Sequence, residues 1–223
     1  MNKKTILTAL LALITVTGQA QVIKTGYENI TDSLPTAMQE YLEMQRVEHF
    51  RVTLTGNFDG KRAKIKKVTC DNAGAFTERT LMSEYIHLVF TDSIETVDFM
   101  AVPYGNDSLR INCFYIEGDG GRVRLFADTL KSDWRKILLE TLTPGNGPDY
   151  PIMAYSSGIP IPGGAYWFCG LRESGTEPRL WYEKHGIKDY VYYTVTLEDD
   201  TPVSEKDDFY VKVSKGDYYG LHR

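Results

Sequence analysis

Only three cysteines, Cys70, Cys113 and Cys169, are scattered through 223 residues, too few to staple a fold that lacks a core of its own. Nor does the chain need staples, since its length and 42% hydrophobic content suffice for a proper core. Basic residues are in deficit, 25 against 30 acidic, which argues against a general nucleic-acid binder. No Gly-x-Ser-x-Gly, His-Glu-x-x-His, Cys-x-x-Cys or phosphate-binding glycine loop is present. His49, His185 and His222 show no metal-ligand spacing, so neither a metal nor another cofactor is expected. With 19 glycines, nine prolines and 25% charged residues, the composition excludes collagen, coiled coil and disorder.

What is there begins with a leader. Lys3 and Lys4 make a positive start, Ile6 to Val16 is a short apolar stretch, and Gly18-Gln19-Ala20 places small residues at −3 and −1 of a signal-peptidase site. Residues 1–20 are therefore expected to be a signal peptide and 21–223 the mature protein, whose net charge moves from −5 to −7 as the two lysines leave. The apolar run falls short of the roughly 20 residues of a membrane span, and no cysteine follows for lipidation. The expected destination is the periplasm, the cell surface or the medium.

The leader ending Gly18-Gln19-Ala20-Gln21 resembles those of exported proteins of the Bacteroidetes. Four triplets, Asp32-Ser33-Leu34, Asp92-Ser93-Ile94, Asp107-Ser108-Leu109 and Asp128-Thr129-Leu130, are similar to the O-glycosylation sequon of those proteins. Asp-Ser also starts turns, and the sequence reading places all four triplets at element boundaries. The resemblance is to uncharacterised secreted proteins and brings no functional motif.

Ser33 to Arg46 reads as an amphipathic helix capped by Ser33, with Leu34, Met38, Tyr41, Leu42 and Gln45 on one face. From Phe50 the period becomes two, and Gly56 to Gly60 reads as a hairpin turn into Ala63 and Ile65. Runs 84–90, 95–102, 109–117 and 122–127 read as an antiparallel meander, followed by a second helix over Leu130 to Leu142. Residues 143–164, rich in proline and glycine, read as a functional loop or a domain join. Strands are expected over 165–171, 179–184, 190–197 and 209–213. The fold class is mainly antiparallel β, a β-sandwich or a sheet with one or two packed helices. The alternative is α+β with two small domains, 21–142 and 165–223.

Three groups of residues bear on chemistry. If Phe90 pairs with Glu95, His87 lies opposite Asp98, and the pair would suit a general base with its orienting acid. Lys61, Arg62, Lys64, Lys66 and Lys67 form a basic stripe, suited to an acidic glycan or a phosphate-bearing surface or, as the plainer reading, to protecting an exposed strand edge. Tyr166, Trp167, Phe168, Trp181, Tyr182, Tyr190, Tyr192 and Tyr193 concentrate eight rings in 28 residues. Strand neighbours point to opposite faces, so these rings do not fit in one core. Tyr166, Trp167, Trp181, Tyr190 and Tyr192 are the candidates for ligand contact, against the reading that all simply fill cores. Cys113 and Cys169 alternate with large apolar residues and read as core filling, with a disulfide left open.

The expectation is an exported, non-catalytic protein binding a glycan, a peptide or another ligand, with no nucleic acid and no membrane span. A secreted hydrolase using His87 and Asp98 and an envelope assembly subunit are the rivals. The oligomeric state is not legible in the sequence.

Overall fold

Phe50, Val52 and Leu54 are buried while Arg51 and Thr53 between them are not, the period of a strand packed on one face. The computed structural model describes residues 24–58, 60–84, 86–116, 122–139, 149–199, 211–214 and 217–219. Its first strands are β1 (Lys24–Asn29), β2 (Glu48–Thr55), β3 (Lys61–Cys70), β4 (Phe76–Thr80) and β5 (Ile86–Phe90). Next come β6 (Ile94–Tyr104), β7 (Ser108–Ile116), β8 (Arg122–Lys131), β9 (Arg135–Leu138) and β10 (Asp149–Ser156). The last are β11 (Ile159–Pro160), β12 (Tyr166–Trp167), β13 (Tyr190–Asp199), β14 (Val211–Ser214) and β15 (Asp217–Tyr219). Three short α-helices accompany them among the described residues, α1 (Thr36–Met44), α2 (Cys169–Glu173) and α3 (Trp181–His185). Among the described residues no helix is long and apolar enough to cross a membrane.

The expected β-sandwich is what the strands build. One sheet runs β1-β2-β6-β7-β8, all antiparallel, and the other runs β15-β14-β5-β3-β13-β10-β9 with β4 added beside β3. Only β14 against β5 is parallel among these pairs. The main core lies between the sheets, where Phe50, Phe99 and Phe126 meet Tyr193 and Tyr155 of the opposite sheet. Tyr193 touches both neighbours, at ring-centroid distances of 6.4 Å to Phe99 and 5.9 Å to Phe126. A second core covers the far side of the eight-stranded sheet: Val68, Cys70, Tyr190 and Tyr192 meet Leu171, Trp181 and Ile187 from the α2–α3 segment. Alternation along β13 thus sends Tyr193 to one core and Tyr192 to the other, so both tyrosines are buried. Strands before residue 139 and after residue 149 share the sheet, with β13 paired to β3 over ten residues.

Several expectations are corrected. β2 and β3 are no hairpin: β2 pairs with β1 and β6, β3 with β13, β4 and β5, and the chain crosses between sheets at 56–60. Buried Phe58 anchors that crossing, edge-on to Phe90 at 5.3 Å. The chain crosses again between β5 and β6, where the Glu95 carboxylate accepts from the amides of Thr91 and Asp92 at 2.9 and 3.0 Å and from the Tyr115 hydroxyl. The meander is only β6-β7-β8. α1 is shorter than expected, has Pro35 rather than Ser33 at its cap, and buries no residue, because each sheet is already covered by the other. Leu130 to Leu139 is strand, turn and strand, with Leu130, Trp134, Ile137 and Leu139 all buried. The expected strand at 179–184 is a 3-10 turn leading into α3. Within 143–164, residues 149–156 form an interior strand, and Pro151 is accommodated where the register shifts before Met153. Asp128-Thr129-Leu130 lies inside β8 rather than at a boundary. The leader and its cleavage site lie outside the described residues.

Candidate functional site

The aromatic candidates divide sharply. Trp181 and Tyr190 are fully buried and Tyr192 is 4% exposed, whereas Tyr166 is 53% and Trp167 49% exposed. Trp181 is locked by donating its indole N–H to the Thr176 carbonyl at 2.8 Å, and Tyr190 by donating its hydroxyl to the Pro178 carbonyl. Burial raises the phenol pKa of Tyr190 and Tyr192, so both are core groups in their chemistry too. Three of the five candidates thus hold the second core together.

Tyr166 and Trp167 form β12, which pairs only with β11, outside both large sheets. The turn of this hairpin contains Gly163 and Gly164, both at positive φ, and closes with Ile161 donating its amide to the Ala165 carbonyl at 3.0 Å. Ile161 is exposed as well. The indole is seated from below: a Cβ on Gly170 would lie 2.7–2.8 Å from its ring carbons, so only glycine permits the contact. One face of Trp167 rests on the backbone of α2 while half of its surface remains open, giving a flat apolar platform in a fixed orientation.

His87 and Asp98 are not brought together. β5 and β6 belong to different sheets, so His87 stands in register with Lys212 and Asp98 with Arg51 and Phe114. Asp98 is instead met by His49 Nε2 at 3.3 Å and by the Arg51 guanidinium, whose Nε and Nη2 donate at 2.7 and 3.2 Å. Sequence reasoning missed His49, Arg51 and Arg122 here. The signal was the polar face of β2, but reading it required the β2–β6 register.

The basic stripe is largely neutralised. Lys61 pairs with Asp199, Lys64 with Glu198 at 2.7 Å, Lys66 with Asp149 at 3.1 Å and Lys67 with Asp128 at 2.7 Å. Arg62 is half-buried beside Lys64 in a crevice of about 290 Å³. The stripe does not guard a sheet edge either, since β3 has neighbours on both sides. A separate cleft of about 810 Å³ opens beside α1, and Asp32, Glu43, Arg46 and Arg135 give its walls both signs of charge. Cys70 and Cys113 are free thiols in different cores, so no disulfide joins them.

Comparison with known proteins finds no matching family model, curated protein or solved structure. The site must be read from its own geometry.

Proposed function

We propose that the protein is an exported, non-catalytic binding protein whose ligand, a glycan, docks on the Ile161–Trp167 hairpin. The observation that carries this reading is the half-exposed Trp167 ring, held flat on Gly170, in a chain that buries Trp181 and Trp134. A ring fixed in place loses little freedom on binding, and its face suits the C–H faces of a sugar. The hydrolase alternative is left without its His87–Asp98 pair. Screening the purified protein on a glycan array, with a peptide array in parallel, tests the reading. Saturable binding to a set of neutral glycans is the expected result; binding to peptides alone would overturn it.

A further inference from the structure

On the eight-stranded sheet the lysines of β3 each have a carboxylate partner; the outer face of the five-stranded sheet is differently balanced. Arg51, Asp98, Phe114 and Arg124 stand in one cross-strand row, on the face opposite the buried Val97, Phe99, Cys113 and Tyr115. Asp98 lies at the bottom of this row, its side chain 2% exposed beneath Arg51 at 31% and Arg122 at 38%. Arg51 grips Asp98 through Nε and Nη2, which leaves the donors of Nη1 unused by that carboxylate. Arg122 reaches Asp98 at 3.5 Å and His49 at 3.2 Å, with its guanidinium 4.7 Å from the centre of the Phe114 ring. Arg124 is exposed in the same row and has no carboxylate partner among the described residues.

Asp98 thus serves two guanidiniums and an imidazole, Glu28 of β1 stands opposite Arg51 at the head of the row, and the Arg124 guanidinium stands beside them, so three arginines face two carboxylates. The buried acid fixes the arginines in position without cancelling their charge. Guanidinium forks match the planar oxygens of carboxylate and sulfate groups. We propose that this arginine face binds an acidic glycan, with one sulfate or carboxylate group seated between Arg51 and Arg122 above Asp98. A nucleic acid fits less well: a duplex presents about one negative charge per 1.7 Å, and the chain as a whole carries −5. A sparsely charged polysaccharide needs only the local surplus. The site lies on the sheet remote from the second core and does not depend on the Trp167 platform.

The test measures binding of the purified protein to chondroitin sulfate, polygalacturonate, neutral dextran and single-stranded DNA at low salt. The expected result is binding to one or both acidic glycans that Arg122→Gln weakens, whereas dextran binding, which belongs to the separate Trp167 platform, is the same in that variant as in the unsubstituted protein. Binding of polygalacturonate assigns a carboxylate, and binding of chondroitin sulfate alone assigns a sulfate. Arg122→Gln and Arg124→Gln, both at exposed positions, should each weaken binding, the first by about tenfold or more. Arg122→Lys should not restore it, because the fork is lost while the charge is kept. Lys184→Gln, the same charge change at an exposed position on α3, should leave binding unchanged. No binding to either acidic glycan, DNA binding as tight as glycan binding, or equal effects of Arg122→Gln and Lys184→Gln would overturn the proposal.

Discussion

Burial alone would push the Asp98 carboxyl up, but the hydrogen bonds from His49 and Arg51 hold it below the usual carboxylate range. In the unfolded chain it titrates at about 4. Its contribution to stability is therefore complete above that pH and is lost as the pH falls through the lower folded value. Tyr27 works at the other end, where burial lifts its phenol from 10.0 to about 12. The unfolded chain ionises there first, so stability drains as the pH rises from about 10 to about 12. A urea-unfolding profile against pH should fall on both sides, with Asp98→Asn flattening the acid limb and Tyr27→Phe reducing the alkaline one. An acid limb unchanged in Asp98→Asn would contradict the assignment. These residues also show what the sequence hides. The polar face of β2 is legible in Arg51 and Thr53, but that Asp98 belongs to Arg51 and His49 rather than to His87 depends on which strands pair, and no local pattern encodes that.

At the scale of elements, the two sheets are fastened by more than apolar contact. Asp128 of β8 is buried against the opposite sheet, accepting from the Tyr193 hydroxyl at 2.8 Å and meeting Lys67 of β3 at 2.7 Å. Arg79 of β4 approaches it at 3.3 Å from a far more exposed position. Asp128→Ala strands a partly buried ammonium and a buried hydroxyl, at an expected cost of about 3 kcal/mol. Arg79→Ala should cost less than about 1 kcal/mol. Equal losses in chemical denaturation would show that the network does not join the sheets. Strand periodicity and fold class were readable from residues such as Phe50, Val52 and Leu54. The crossings at 56–60 and 91–93 were not, because a turn-rich loop looks the same whether it returns to a neighbour or passes to the facing sheet. Leu130, Trp134, Ile137 and Leu138 mimic a helical stripe, yet the turn at Ser132 and Asp133 resets the phase and each strand buries its own alternate residues. Helix α1 failed as a cover for the same reason the sandwich succeeds: the inner sheet faces were already taken.

Taken as a whole, the molecule is a sandwich with a second core on one flank, an arginine face on the other, and an aromatic hairpin outside both sheets. Sequence reasoning located the cluster that contains the candidate site without separating its platform from its packing. Trp181 differs from Trp167 not in residue type but in what folds over it. That distinction is the central claim, and a pair of substitutions, each followed by melting temperature and glycan-array binding on one preparation, tests it most directly. Trp181→Ala opens a cavity in the second core and should cost roughly 3–5 kcal/mol, seen as a large fall in melting temperature. Trp167→Ala should change stability by about 1 kcal/mol or less while weakening binding of neutral glycans about tenfold or more. A severe loss of stability in Trp167→Ala, or full binding of neutral glycans by that variant, would contradict the account.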